Sequence, residues 1–429
     1  MTQPRRRDIL KALAAAGFGA GLGSGLLPLG VRRLAFAAQA SQPMLIIIHL
    51  RGGCDGLNLI SPANDPTFIA ARATDLRVSD SGQNAGFALG GDMAPGIDFR
   101  LHAGAGGLYD IYRAGSLAFI HACGLTDATR SHFVATDMIE AGVGSQADLN
   151  RSDNGWLARA LAAPPTSQGH AQQTLEAVSL SPAIGGELRG LDHALAVPDI
   201  NGGLPPVGGP AIANVLWRMY GARPDPLGEA GRLALQLPVV IDQKLERDDH
   251  GRVLPYGPEN NANYDGAGGF ANTLKSLARL IKMNLGLASV TLDYGSWDTH
   301  ENQPGRFRGQ VEPLSNGLAA FWNDVAAYHD QITLVTVSEF GRRLRGNKSN
   351  GTDHGRAGVM AVMGGRVRGG KLYGTWPGLQ PQQLDESVDL AVTTDYRQVL
   401  TEALAHSLGP KAANAFPGFR PAKPLGLFA

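Results

Sequence analysis

The feature that most restricts the fold is a series of apolar runs that alternate with helical patterns along the chain. The first run, MLIIIHL at 44–50, is uninterrupted and is closed by Arg51, Gly52 and Gly53. Such runs are typical of strands buried on both faces of a parallel sheet. Similar runs occupy residues 117–121, 289–293, 332–337 and 359–363, and helical patterns occupy 104–114, 131–141, 268–285, 306–328 and 395–408. The alternation predicts an α/β fold with a mostly parallel sheet and helices on both faces.

Residues 1–37 have the pattern of a twin-arginine signal peptide. Arg6 and Arg7 precede an uncharged run rich in Ala, Gly and Leu from Ala12 to Leu29, and Ala35-Phe36-Ala37 offers a small-x-small cleavage site. The run contains too many Gly and Ala residues, and a Pro, for a stable membrane span. We therefore expect export through the twin-arginine translocase to the periplasm or the exterior, with no membrane span after cleavage.

Charge and composition restrict the partners of the exported form. Without residues 1–37 the chain keeps 32 basic and 37 acidic residues, a net charge of about −5. This excess of acidic residues disfavours nucleic acid or an anionic membrane as a partner. Residues 38–429 are long enough for one large α/β domain, and the Pro-rich and Gly-rich stretch at about 164–265 is interpreted as a mainly helical insertion. Cys54 and Cys123 each follow a predicted strand, and a disulfide between them is left open.

Clusters of polar residues lie beside the ends of four predicted strands. They are RGGCDGLN at 51–58, GSWDTHEN at 295–302, VSEFGRR at 337–343 and GTDHG at 351–355. In open α/β sheets, ligands bind beyond the carboxyl ends of the strands. Buried carboxylates need a cation or full hydrogen bonding, so this repeated placement favours a metal site over a set of turn caps.

Carboxylate oxygen and imidazole nitrogen atoms suit a divalent metal, with zinc first and calcium, magnesium or manganese as alternatives. The candidate ligands are Asp55, Asp298, His300, Glu339 and His354. Taken alone, Asp55 is better explained as a turn cap. The residues considered for anion binding or support are Asn58, His132, Arg342 and Asp353, and Arg342 could instead be an ordinary surface charge.

Ser131 is the candidate nucleophile. It precedes the helical pattern at 131–141, where free backbone N–H groups and the helix dipole stabilise an anion. Beside a metal that lowers the pKa of its hydroxyl, it could take part in phosphoryl or sulfuryl transfer. The alternative is a simple helix cap.

Several of these segments together resemble an exported family known as domain of unknown function 1501, of the alkaline-phosphatase and sulfatase-like superfamily. The motifs that carry the resemblance are LRGGCDGLN at 50–58, LAFIHACG at 117–124, TRSHF at 129–133, WDTHENQ at 297–303, SEFGR at 338–342 and TDHG at 352–355. The resemblance implies a three-layer α/β/α sandwich with one or two divalent cations at the carboxyl edge of the sheet. It also implies that Ser131 matches the nucleophile by position.

Two departures from the superfamily pattern are visible. Asp298 and His300 are two residues apart instead of four, and Glu339 lacks the adjacent His. No Cys-x-Pro-x-Arg motif is present, so maturation to formylglycine is not expected.

The expected function is metal-dependent hydrolysis of phosphate or sulfate esters, with a small molecule or a polymer as substrate. The alternative is a non-catalytic exported protein of the same fold that binds a cell-envelope polymer or a partner. A redox enzyme is disfavoured because the sequence contains no haem, iron–sulfur or dinucleotide motif.

Overall fold

A computed structural model describes residues 42–91, 93–162, 175–206 and 208–429. The predicted signal peptide at residues 1–37 lies outside these residues. Within them, no helix combines the length and the apolar character needed to cross a bilayer.

A nine-stranded sheet forms the centre of the fold, in the order β13-β5-β12-β9-β1-β8-β6-β7, with β14 also paired to β5. Strand β1 pairs in parallel with β8 on one side and with β9 on the other. Strand β12 runs antiparallel to both of its neighbours, β9 and β5. The strands of this sheet are β1 (Met44–Leu50), β5 (Leu117–Gly124), β6 (Ala177–Ser179), β7 (Ala194–Ala196), β8 (Ser289–Tyr294), β9 (Ile332–Val337), β12 (Gly358–Gly364), β13 (Leu372–Tyr373) and β14 (Thr394–Asp395).

The sheet is buried on both faces, which explains the uninterrupted apolar run of β1. Leu45 and Ile47 pack into one hydrophobic cluster, whereas Ile46 and Ile48 pack into the other, because successive side chains of a strand point to opposite faces. The cluster of Ile46 and Ile48 also contains Leu108, Leu274 and Val311, from the helices at residues 106–113, 271–282 and 303–324. The cluster of Leu45 and Ile47 also contains Met138, Trp156 and Val399, from the helices at residues 132–141, 156–161 and 396–408. The predicted three-layer α/β/α arrangement with a mostly parallel sheet is therefore confirmed.

The helices lie close to the predicted patterns, with shifted ends. Their bounds are α1 (Gly56–Leu59), α2 (Pro66–Ala71), α3 (Gly106–Arg113), α4 (His132–Ala141), α5 (Gln146–Leu149), α6 (Trp156–Leu161), α7 (Gly209–Gly221), α8 (Pro226–Gln243), α9 (Ala271–Lys282), α10 (Gln303–Asp324) and α11 (Tyr396–Leu408). Short 3₁₀ turns occupy Thr74–Leu76, Gly186–Leu188, Asp265–Phe270, Ala326–Gln331, Pro381–Gln383 and Gly409–Asn414.

The described part of the stretch at about 164–265 contains two short strands in addition to helices. Strand β6 pairs in parallel with β8, and β7 pairs in parallel with β6, so both extend the central sheet. Helices α7 and α8 follow at 209–243. Strands of three residues are too short to show a period in the sequence, and they form here because β8 offers an edge to pair with.

Two small sheets flank the carboxyl edge of the central sheet. Strands β2 (Ile60–Pro62), β3 (Phe87–Ala88) and β4 (Phe99–Leu101) form one sheet, and β10 (Arg342–Gly346) and β11 (Thr352–His354) form a two-stranded ribbon. Because β12 is antiparallel to β9, the segment that precedes β12 lies at the edge where β9 ends. The ribbon therefore carries residues 342–354 to the same edge as the loops that follow β1, β8 and β9.

Candidate metal centre

Four side chains meet at the carboxyl edge of the sheet and form what we call the histidine–aspartate cluster: His132, Asp298, His300 and His354. Oδ1 of Asp298 lies 3.0 Å from Nε2 of His300, 3.2 Å from Nε2 of His354 and 3.5 Å from Nε2 of His132. The Nε2 atoms of His300 and His354 are 2.9 Å apart. Three imidazole nitrogens thus face one carboxylate oxygen.

The ligands come from separate segments that the topology brings together. Asp298 and His300 lie in the loop after β8, His354 ends β11, and His132 is the first residue of α4. The loop after β1 must pass very close to the loop after β8: a Cβ atom on Gly52 would lie 2.5 Å from the backbone nitrogen of Asp298, and the φ of Gly52 is +117°. Only glycine accommodates both the contact and the backbone conformation.

Each imidazole of the cluster is held by an oxygen acceptor at its other nitrogen, Nδ1. The acceptors are Glu339 Oε1 at 2.8 Å from His132, Asp353 Oδ1 at 3.2 Å from His300, and the backbone oxygen of Arg130 at 2.8 Å from His354. An ionised carboxylate or a carbonyl can only accept, so each neutral ring carries its proton on Nδ1. All three Nε2 lone pairs then point into the cluster.

This arrangement fits a divalent cation. Lone pairs on nitrogens 2.9 Å apart repel one another unless a cation or an extra proton lies between them. Nε2 of His132 is buried and has no hydrogen-bond partner. Ligands about 2.0–2.1 Å from a tetrahedral zinc ion lie about 3.3 Å from each other, close to the 3.0–3.5 Å between Asp298 Oδ1 and the three Nε2 atoms. The ligand atoms of His132, Asp298 and His354 all lie within 4.8 Å of one another. A carboxylate or carbonyl behind each histidine is also the usual arrangement around zinc.

The cluster is open to solvent on one side. The side chains of Asp298 and His300 are 45% and 41% exposed, whereas that of His354 is 21% exposed. The cluster is therefore accessible from the side of Asp298 and His300.

Arg342 is buried and holds Asp298 in position, so it is not available to bind an external anion. Its side chain is fully buried and donates to Asp298 Oδ1 at 2.6 Å and to the backbone oxygens of Gly53 and Thr352 at 2.7 and 2.8 Å. Burial opposes ionisation of Asp298, but the hydrogen bond and charge of Arg342 hold the pKa of this carboxyl at about 2. From the sequence, Arg342 was considered for anion binding or support, or as an ordinary surface charge; these contacts agree with the supporting role.

Glu339 lies behind His132 and not beside the convergent nitrogens. Its Oε1 accepts from His132 and from the backbone N–H of Gly52 at 2.8 Å, and its Oε2 accepts from Ser338 at 3.1 Å. Burial acts to raise the pKa of Glu339, but these hydrogen bonds lower it overall. The same hydrogen bond raises the pKa of His132. The sequence placed Glu339 among the ligands and His132 among the supporting residues; the contacts favour the opposite assignment.

Asp55 is engaged in a buried ion pair. Its carboxylate is fully buried and accepts from two nitrogens of Arg72 at 2.7 and 3.0 Å and from Gln303 Nε2 at 2.6 Å. The backbone N–H of Asn58 also donates to it, at 3.1 Å. The ligand role predicted for Asp55 is therefore replaced by charge neutralisation within the protein. Arg72 was missed because it lies in a stretch with no catalytic pattern.

Ser131 directly precedes His132 at the start of α4 and does not act as a side-chain cap. It has extended φ and ψ angles at the start of α4, it is exposed, and its hydroxyl makes no capping hydrogen bond. Its neighbours on both sides contact the cluster, through the backbone oxygen of Arg130 and the ring of His132. The next residue, Phe133, is 84% exposed. The simple cap considered from the sequence is not supported by these contacts.

Both cysteines are free thiols in buried positions, so no disulfide joins them. Burial raises the pKa of Cys54 and of Cys123. Neither thiol takes part in the cluster.

Fold and site together define an α/β protein with a candidate metal centre at the carboxyl edge of a mostly parallel sheet. Residues 222–411 match the family model described as "Protein of unknown function (DUF1501)", so the predicted resemblance to this family is confirmed over that stretch. No curated protein matches the chain.

Solved structures with a similar outline include a sulfatase and an alkaline phosphatase. The sulfatase PsFucS1 from Pseudoalteromonas sp. is 8% identical with a TM-score of 0.36, over 95% of this chain and 72% of that chain. The alkaline phosphatase from the Antarctic bacterium TAB5 is 10% identical with a TM-score of 0.34, over 85% of this chain and 98% of that chain. A variant of that phosphatase with Mg bound is 10% identical with a TM-score of 0.31, over 76% and 91%. At these values the likeness says nothing about activity, which has to be argued from the cluster.

Proposed function

We propose that this protein is an exported hydrolase of phosphate or sulfate esters that works with one divalent cation at the histidine–aspartate cluster. The observation that carries the proposal is the convergence of three Nε2 atoms on Asp298 Oδ1, with His132 directly following Ser131, a serine at a helix start whose hydroxyl makes no capping hydrogen bond. A hydroxyl, an anion-stabilising helix end and a cation site at one solvent-open point are the components of phosphoryl and sulfuryl transfer.

His132, His300, His354 and Asp298 would hold the cation. Three imidazoles and one carboxylate favour zinc over calcium or magnesium, which prefer oxygen ligands. When bound, the cation would withdraw electrons from an ester oxygen and lower the pKa of a nearby hydroxyl.

One cation per chain is expected. A second cation would need another convergent set of ligands, and Asp55, the carboxylate that follows β1, is neutralised by Arg72 at 2.7 Å. The guanidinium carries the positive charge that a second metal ion would supply. Binding a cation there would require breaking a fully buried ion pair, which is strongly unfavourable.

Ser131 supplies the nucleophile in this proposal. Its Oγ would bond to the phosphorus or sulfur atom while the bond from that atom to the alcohol oxygen breaks. The hydroxyl proton passes to solvent, and the leaving alcohol takes a proton from solvent. Water then cleaves the serine ester and restores the hydroxyl. The free N–H groups of the first turn of α4 would stabilise the anionic oxygens.

The remaining residues of the centre orient the ligands. Glu339 and Asp353 hold the rings of His132 and His300 through Nδ1, and Arg342 holds Asp298. Each contact keeps a ligand atom directed at the same point, which limits the reorganisation needed on binding.

The test compares turnover of aryl phosphates and aryl sulfates with metal content, using protein purified after export. Wild type should turn over at least one ester class and hold one metal ion per chain. Ser131→Ala should lose turnover and keep its metal, whereas His132→Ala should lose both. A Ser131→Ala variant that retains full turnover would contradict the nucleophile. Wild-type protein that holds metal but cleaves neither class would favour the non-catalytic alternative, a protein that binds a polymer or partner.

A further inference from the structure

An exposed apolar surface lies far along the chain from the metal centre, on the hairpin of α7 and α8. Five large apolar side chains between residues 212 and 227 are each more than a third exposed: Ile212 at 51%, Val215 at 50%, Trp217 at 37%, Met219 at 56% and Leu227 at 55%. Helix α7 itself has no buried residue. Single exposed apolar residues are ordinary, but a concentration of this kind marks an interaction surface.

Three of these residues form one stripe, which we call the α7 seam: Ile212, Val215 and Met219. Their spacing of three and then four residues places them on one side of the helix, the pattern of a seam between two packed helices. A neighbouring side of α7 packs on α8, where a Cβ atom on Gly231 would lie 2.4 Å from the ring of Tyr220. Arg232 of α8 also donates to the backbone oxygen of Tyr220 at 3.0 Å. The seam therefore lies on a side of α7 that α8 leaves exposed.

The charges on the hairpin decide between partners. Residues 209–243 hold three basic and three acidic residues, so the hairpin has no net charge. A surface helix that binds anionic lipid is normally rich in Lys and Arg. Arg218 on α7 and Glu229 on α8 are both exposed, and neither has an ion-pair partner among the described residues. A hairpin that carries an apolar stripe and one unpaired charge of each sign can pair with a second copy of itself, as a twofold contact requires.

One segment of the chain outside the described residues is an unsuitable partner for the α7 seam. Residues 163–174, APPTSQGHAQQT, contain no large apolar side chain that could match the seam.

We propose that the α7 seam is the contact between two copies of this chain, related by a twofold axis near Val215. Parallel and antiparallel pairing of the two α7 helices both place the copies of Val215 opposite each other, because Val215 is near the middle of the seam. The proposal does not depend on catalysis at the metal centre.

The first test is the oligomeric state of the full chain, and of the form recovered after export, by sedimentation over a range of concentrations. Wild type should be a dimer in both forms. Met219→Glu should weaken the dimer by at least about tenfold, because a carboxylate in an apolar contact is costly. Ile69→Glu is the matched control, since Ile69 is an apolar residue 40% exposed on α2; it should leave the dimer unchanged, and circular dichroism should show that both variants are folded.

Two further variants test the contact directly. Val215→Cys should form a disulfide-linked dimer on oxidation, whereas wild type should not, because Cys54 and Cys123 are buried. Arg218→Glu gives each hairpin a net charge of −2 and should weaken the dimer, and the added change Glu229→Arg should restore it. The proposal is overturned if wild type stays monomeric at all concentrations or if Met219→Glu leaves the dimer intact. It is also overturned if the full chain is monomeric and the seam binds vesicles of phosphatidylcholine and phosphatidylglycerol.

Discussion

Oε1 of Glu339 lies 2.8 Å from Nδ1 of His132, and this contact turns the opposite nitrogen of the ring into the histidine–aspartate cluster. The same oxygen accepts the backbone N–H of Gly52, so the carboxylate links the loop after β1 to the start of α4. A residue 207 positions away in the chain therefore sets the direction of a candidate ligand.

Replacing Glu339 should weaken metal binding more than it weakens the fold. Glu339→Gln keeps an oxygen that can accept from Nδ1 but removes the charge that makes the ring a better ligand. We expect a loss of about 10–100-fold in metal affinity, measured by competition with a chelator. Asp293→Asn is the control, because Asp293 contacts Arg51 and no imidazole of the cluster. Equal affinities for the two variants would contradict a supporting role for Glu339.

Removing the hydroxyl of Ser131 should have little effect on stability, since this hydroxyl makes no capping hydrogen bond. We expect Ser131→Ala to change the free energy of unfolding by less than about 0.5 kcal/mol. Asp65→Ala should cost about 0.5–2 kcal/mol, because Asp65 caps α2 through the N–H groups of Thr67 and Phe68. Denaturant titration of both variants gives the comparison. A larger loss in Ser131→Ala than in Asp65→Ala would show that Ser131 is a structural cap after all.

Arg72 should be needed for folding and not for metal binding. Arg72→Met leaves the fully buried carboxylate of Asp55 without its counter-ion, and we expect a loss of about 3–5 kcal/mol. Adding Asp55→Asn removes the charge and should recover part of that loss. Metal analysis should find one ion per chain in wild type and in the double variant. Two ions per chain in wild type would contradict the proposal that Arg72 takes the place of a second metal ion beside Asp55.

Acid stability should depend on Glu187, which lies 3.3 Å from His49 and is fully buried. Burial opposes ionisation of Glu187, but His49 lowers the pKa of its carboxyl from 4.5 to about 2. The unfolded chain therefore binds a proton at a higher pH than the folded chain does. The stabilisation is complete above about pH 4.5 and is lost as the pH falls towards 2.

Glu187→Gln should flatten this acid limb of the stability curve, although it should also lower stability at neutral pH. Glu301→Gln, at a carboxylate 66% exposed, should leave the slope unchanged. Urea titrations from pH 2 to 6 test both statements. An unchanged slope in Glu187→Gln would mean that the pair does not control acid unfolding.

Export should depend on the arginine pair at the start of the chain. Arg6→Lys with Arg7→Lys keeps the positive charge and removes the motif read by the twin-arginine translocase. The precursor should then accumulate inside the cell, which fractionation and immunoblotting would show. Undiminished export of the double variant would remove the twin-arginine route from the proposal.

The sequence was sufficient for the layers of the fold and for the edge where the site lies. Runs buried on both faces can only be accommodated between two layers of helices, and loops that follow parallel strands meet at one edge. For this reason the sequence alone places Asp298, His300 and Glu339 at one edge, whereas His354 reaches that edge because β12, which it precedes, runs antiparallel to β9. The antiparallel direction of β12 could not be foreseen, because an apolar run looks the same in both directions.

The division of roles at the site was decided only by the tertiary structure. Asp55 and Glu339 both follow strands and both carry carboxylates that could bind a metal. In the structure, however, Arg72 neutralises Asp55, and Glu339 contacts the Nδ1 atom of His132, whose other nitrogen faces the cluster. Arg72 reaches the loop after β1 from the end of α2, and His132 comes from a different layer of the fold. A sequence pattern shows which polar groups are available at an edge of the sheet. Which of them is a candidate metal ligand depends on which side chain directs an atom into the cluster in the folded chain. That in turn depends on distances of about 2–4 Å that only the packed chain determines.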